Sequence, residues 1–87
     1  MDEEAQLDGR SREILDFERT WWRLAGPKER NIRSRLSLSA ARYYRLLDLI
    51  IDRQEALRFD PLLVKRLRRR RAARRRQRLG GSLGLEQ

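Results

Sequence analysis

The stretch Leu36-Ser37-Leu38-Ser39-Ala40-Ala41-Arg42-Tyr43-Tyr44-Arg45-Leu46-Leu47 decides the fold. Ser39 reads as a helix N-cap, because its hydroxyl can accept a backbone N–H that the first helical turn leaves unpaired. From Ala40 to about Ile51, Tyr43, Leu46, Leu47 and Ile50 recur three and four residues apart, which lays them along one helix face. Arg42 and Arg45 fall on the other face, near the N-terminal half, with Tyr44 beside them. Upstream, Ile32 and Leu36 are the core contacts of a shorter helix over about 27–35. The residues between leave room only for a tight turn. Two short helices around such a turn, packed on a longer first helix, make a helix-turn-helix.

Working outward, Ser11 is the expected N-cap of the first helix, with Glu13 and Asp16 suited to its dipole. Ile14, Phe17, Trp21 and Leu24 mark its core stripe over about 12–25, and Leu15 and Trp22 form a flanking one. Gly26-Pro27 ends it and opens the next. Downstream, Asp52-Arg53-Gln54-Glu55 reads as a capping box for a short fourth helix through Leu57. Asp60-Pro61 starts a fifth, with Leu62, Leu63 and Leu67 as its apolar foot. Beyond Leu67 arginines occupy every side, and Gly80-Gly81-Ser82 is the expected stop. No strand-period segment and no repeat is visible. The fold class is therefore all-α: a compact helix-turn-helix bundle of about four short helices plus an arginine-rich C-terminal helix. The expected divisions are an acidic flexible arm (1–10), the helix-turn-helix domain (11–59), the arginine-rich helix (60–79) and a flexible tail (80–87).

Composition narrows the function. A chain of 87 residues buries only a thin core. It contains neither Cys nor His, which removes disulfides, structural zinc and the commonest nucleophile–base pair. Asp48 and Asp52 stand one turn apart without a third ligand, so neither a metal nor acid–base catalysis is called for. No enzyme activity and no cofactor is expected. The acidic, polar start is unlike a signal peptide, and the longest apolar stretch, 46–51, is too short to span a membrane. A cytoplasmic location follows as an expectation.

Charge points to a partner. Residues 1–64 carry 12 basic and 12 acidic side chains. The net +9 therefore sits in residues 65–87, where Lys65, Arg66, Arg68, Arg69, Arg70, Arg71, Arg74, Arg75, Arg76 and Arg78 face Glu86 alone. Arginine suits bidentate phosphate contacts. Like charges at i, i+3 and i+4 repel, so the run calls for a counter-charge. Duplex DNA is the expected partner: Ser39, Arg42, Tyr44 and Arg45 at a groove, and the C-terminal cations on phosphates or in a minor groove. Ala40 and Ala41 offer no hydrogen bonds, which makes binding mainly electrostatic and weakly sequence-specific. An anionic membrane surface fits less well, because the apolar face of the fifth helix ends at Leu67. Two alternatives stand beside DNA: an arginine-rich RNA binder that folds on its target, and an interaction module docking on an acidic protein such as the transcription machinery. Trp21 reads as core. Trp22 is more open, and covers the foot of the fifth helix or joins Leu15 in a homodimer interface.

The stretch Ile14-Leu15-Asp16-Phe17-Glu18-Arg19 with Trp21-Trp22, the Leu38-Ser39 turn, Arg42-Tyr43-Tyr44 and the run from Asp60 to Leu67 together resemble a family of small actinobacterial proteins known only as a domain of unknown function. The resemblance covers about residues 12–70. It implies a cytoplasmic, helical protein concerned with DNA, in nucleoid organisation or transcription regulation. The helix-turn-helix is also similar, locally, to the last DNA-binding region of sigma factors. Where that family pattern usually has Gly in the turn this chain has Ser37, and where a Pro is common in the fourth helix it has Gln54.

Overall fold

A computed structural model describes residues 6–84, and the side chains of 6–80. Among these residues the fold is all-α: α1 (Gly9–Thr20), a 3-10 turn (Trp21–Arg23), α2 (Lys28–Leu36), α3 (Ala40–Ile50), α4 (Gln54–Phe59) and α5 (Pro61–Gly84). One core joins them, drawn from Ile14, Leu15 and Phe17 of α1, Ile32 and Leu36 of α2, Tyr43, Leu47 and Ile50 of α3, and Leu63, Val64 and Leu67 of α5.

The chain enters the bundle earlier than expected. Asp8, not Ser11, caps α1: its carboxylate accepts the Ser11 backbone N–H at 3.1 Å and the Ser11 hydroxyl at 2.8 Å. Arg53 reaches the same carboxylate at 3.0 Å. The two Ser11 bonds first, and then Arg53, hold the Asp8 carboxyl at about 2. Leu7 is buried in the core beside this cap. The flexible arm drawn over 1–10 is thus corrected for its second half, and residues 1–5 lie outside the described part.

Trp21 does not continue α1. Thr20 leaves the helical region, its hydroxyl donating to Asp16 O at 2.9 Å, and residues 21–23 tighten into the 3-10 turn. Trp21 packs against the core while Trp22 is 64% exposed. Gly26, at φ 89°, lets the chain reverse. The buried Asn31 amide then fastens the loop by donating to Ala25 O and Pro27 O.

Glu18 is the buried centre of this corner. It pairs with Lys28 at 3.0 Å and accepts the Tyr43 hydroxyl, so one carboxylate binds α1, α2 and α3. Burial first, and the Glu18 bond second, push the Tyr43 phenol well above its ordinary range. The Lys28 ammonium lies 4.9 Å from the Trp21 ring centre and 5.1 Å from that of Tyr44. Phe17 meets Tyr43 edge-on at 5.7 Å.

The turn between α2 and α3 follows the expected path, with its strain on a residue that is not glycine. Ser37 adopts φ 58°, ψ 39°, and donates its N–H to Arg33 O at 3.0 Å. Arg10 also donates to Leu36 O, which satisfies a carbonyl at the end of α2. Ser39 then caps α3, accepting Arg42 N–H at 3.2 Å.

Three local expectations change downstream. The capping box at Asp52 does not form: Arg53 holds the N-cap position of α4 without a side-chain bond, because the Asp52 carboxylate is engaged by Arg71. Asp60 does cap α5, accepting Leu63 N–H at 3.3 Å. The foot of α5 is Leu63, Val64 and Leu67, whereas Leu62 is 81% exposed. The glycine pair does not end the helix either, because α5 runs on to Gly84. Of the tail drawn over 80–87, residues 85–87 lie outside the described part.

Removing the charge of Glu18 while keeping an oxygen for Tyr43, as in Glu18→Gln, leaves a buried ammonium without its counter-ion. We expect a loss of about 3 kcal/mol in urea unfolding, and recovery of at least half of it when Lys28→Met is added. Ser37→Gly removes the left-handed penalty at the turn, offset by greater freedom of the unfolded chain. A gain of about 0.5 kcal/mol is expected, read as a rise in melting temperature.

Candidate nucleic-acid interface

Position along α3 divides the expected groove residues. With about 100° between successive residues, Arg42 lies to one side of Tyr43 and Tyr44 to the other. Arg42 and Arg45 are exposed. Tyr44 is drawn away from them: its ring sits beneath Lys28 and meets Tyr43 edge-on at 5.0 Å. It lines a cleft of about 240 Å³ with Trp21, Lys28, Arg70 and Arg74, on the α5 side of α3. Its expected place beside Arg42 and Arg45 is therefore not what the structure shows. Leu49, seven residues after Arg42 and four after Arg45, shares their flank and is 62% exposed. Sequence reasoning passed it over because a leucine in an apolar run reads as core. Ser39 spends one lone pair on its own helix and keeps its hydroxyl proton for an outside acceptor.

Charge is also distributed more finely than the halves of the chain suggest. Residues 28–45 hold Lys28, Arg30, Arg33, Arg35, Arg42 and Arg45 against Glu29 alone, so α2 and the first half of α3 form a cationic unit inside a neutral total. Lys28 belongs to the core pair. Arg30, Arg33, Arg35, Arg42 and Arg45 are all exposed.

The ten cations of 65–78 split into two kinds. Arg68 and Arg71 face inward. Arg68 Nε donates to Ile51 O at 2.5 Å. Arg71 donates to Asp48 O at 3.2 Å and to both Asp52 oxygens, at 3.3 and 2.5 Å. Its bonds lower the Asp52 carboxyl and, in return, raise the Arg71 guanidinium. These two arginines hold α5 to the end of α3, and they answer what the Asp48–Asp52 pair is for. Lys65, Arg66, Arg69, Arg70, Arg74, Arg75, Arg76 and Arg78 point outward, and none of them makes a salt bridge among the described residues. From Ala73 to Gly80 every residue is exposed, and past Arg74, which still borders the Tyr44 cleft, this part of α5 leaves the bundle along a molecule 55 Å long.

Among the described residues no group of three or more carboxylates could hold a metal, and no buried polar side-chain atom lacks a partner. No described helix is long and apolar enough to cross a membrane. Leu15 is fully buried within its own chain and cannot meet a second copy, which removes it from any dimer face.

The fold and surface define a class: a small all-α protein in which two short helices meet at a tight turn and a cationic helix projects. By sequence the chain belongs to a family described as protein of unknown function (DUF3263), whose model matches residues 6–79. The match starts before residue 12 and runs past 70, so it takes in both the Asp8 cap and the arginines through Arg78. No curated protein and no solved structure matches the chain.

Arg71→Ala should detach α5 from α3 and cost about 1 kcal/mol in thermal unfolding, whereas Arg75→Ala leaves stability unchanged. The acid limb distinguishes them further. Asp52 is depressed below its ordinary 3.8, so its contribution is complete above that value and is lost as pH falls below it. That part of the acid loss should shrink most in Arg71→Ala, whose hydrogen bond is the largest cause, and only slightly in Arg75→Ala, whose charge acts on Asp52 at longer range.

Proposed function

We propose that the protein binds duplex DNA as a nucleoid-associated or small regulatory protein, by charge more than by base sequence, and without enzymatic activity. The observation that carries this is the pairing of two outward cationic sets. One is the Arg42–Arg45 flank of a capped helix behind a tight turn, and the other is the arginine ladder of α5. Helix-turn-helix proteins place such a capped helix in the major groove, where Arg meets guanine and an apolar side chain can touch a thymine methyl. Arg42 and Arg45 take the first role and Leu49 the second. The α3 N-terminus and the Ser39 hydroxyl suit a phosphate oxygen. Lys65, Arg66, Arg69, Arg70, Arg74, Arg75, Arg76 and Arg78 hold phosphates or enter a minor groove. Local similarity to the last DNA-binding region of sigma factors supports the same docking, and the resemblance to actinobacterial proteins supports a cytoplasmic, nucleoid location.

Cutting the chain at residue 64 would remove buried Leu67 and the ties of Arg68 and Arg71, so charge substitutions make the cleaner test. Fluorescence anisotropy on random duplex should give log K falling against log salt with a slope near about −5, for roughly six neutralised phosphates. Replacing Arg74, Arg75, Arg76 and Arg78 with Ala should flatten that slope by about 3. Arg42→Ala with Arg45→Ala should weaken binding while α5 is intact. Absence of duplex binding, or ready displacement by structured RNA, would overturn the DNA assignment.

A further inference from the structure

Trp22 and Leu62 are exposed at 64% and 81%, and both line one groove of about 500 Å³. The groove runs between the end of α1, the 3-10 turn and the first turn of α5. Leu63 contributes to its wall, with Arg19, Arg23 and Arg66 around it. Trp22 is held in place rather than loose. Its indole N–H donates to Arg19 O at 3.1 Å, and the Arg23 guanidinium lies 5.0 Å from its ring centre. A preset aromatic with adjacent arginines has the make-up of an interface hot spot.

We propose that this groove docks an acidic, amphipathic segment of another protein. One large apolar side chain enters between Trp22 and Leu62, and carboxylates to either side meet Arg23 and Arg66. Charge selects this occupant. The groove holds three guanidinium groups and a single carboxylate, Asp60, which Arg19 takes at 3.5 Å. A second copy would set the same arginines against themselves across a two-fold contact, each copy carrying +9. A lipid surface calls for an apolar stripe along a helix, whereas here the apolar groups face into a groove. Trp22 and Leu62 are no part of the proposed DNA surface, which shares only Arg66 with the groove, and the variant that tests the groove leaves Arg66 in place.

Selection of a phage-displayed 16-residue library on the full-length protein tests the groove, with the Trp22→Ala/Leu62→Ser variant as the counter-target. Both side chains are largely in water, so the variant should melt as the parent does. Leu62→Ser alone takes its place otherwise. Enriched peptides should share a large apolar residue with Asp or Glu within four positions, and should lose at least tenfold in affinity for the variant. Duplex affinity of the variant should stay within twofold. The proposal falls if enriched peptides lack carboxylates, bind the variant equally well, or do not emerge. It also falls if the variant instead loses a parental dimer seen by sedimentation, or parental binding to phosphatidylglycerol vesicles. Failure of duplex binding by the parent leaves the peptide result unaffected.

Discussion

Glu18 enters the bundle as a charged group, and a carboxylate taken out of water is tolerable only with a counter-charge and hydrogen bonds close by. Lys28 supplies the first and Tyr43 the second. Because these partners come from α1, the start of α2 and the first turns of α3, satisfying one group fixes how three helices meet. Trp21 and Tyr44 complete the shell around the ammonium. The angle at which α3 presents Arg42 and Arg45 is therefore set from behind, by a polar cluster and not by the apolar core alone.

Arginine performs two opposed tasks in this chain. Arg10, Arg53, Arg68 and Arg71 satisfy carbonyls or carboxylates of neighbouring segments and act as fasteners. The outward arginines of α5, Arg66, Arg69, Arg70, Arg74, Arg75, Arg76 and Arg78, make no salt bridge among the described residues and accumulate charge. A planar fork that bonds two acceptors at once serves both uses, which explains why lysine is rare among them.

Much of the architecture was legible beforehand. The Tyr43–Leu47–Ile50 stripe, the Ser39 cap, the Pro-started fifth helix and the tight turn all rest on neighbours within one or two helical turns. What escaped rests on distant partners or on context. Leu7 and Asp8 looked like the end of an acidic arm, because their value comes from Ser11 and Arg53. Trp21 and Trp22 kept helical spacing, although the chain tightens there. The Glu18–Lys28 pair spans ten residues and two elements. In a run of arginines, composition cannot say which one faces Asp52. The placement of Tyr44 depends on a lysine sixteen positions earlier.

The projecting half of α5 has a thermodynamic consequence. Among the described side chains, from Ala73 to Gly80, all are exposed and none is buried in the core, so helical hydrogen bonds hold this stretch and it opens by fraying while the Glu18 corner stays shut. Two free energies of opening thus coexist in one short chain, near zero at the arginine end and the global value in the core. Far-ultraviolet ellipticity and Trp21 emission will follow different melting curves, and a single unfolding constant will describe only the second.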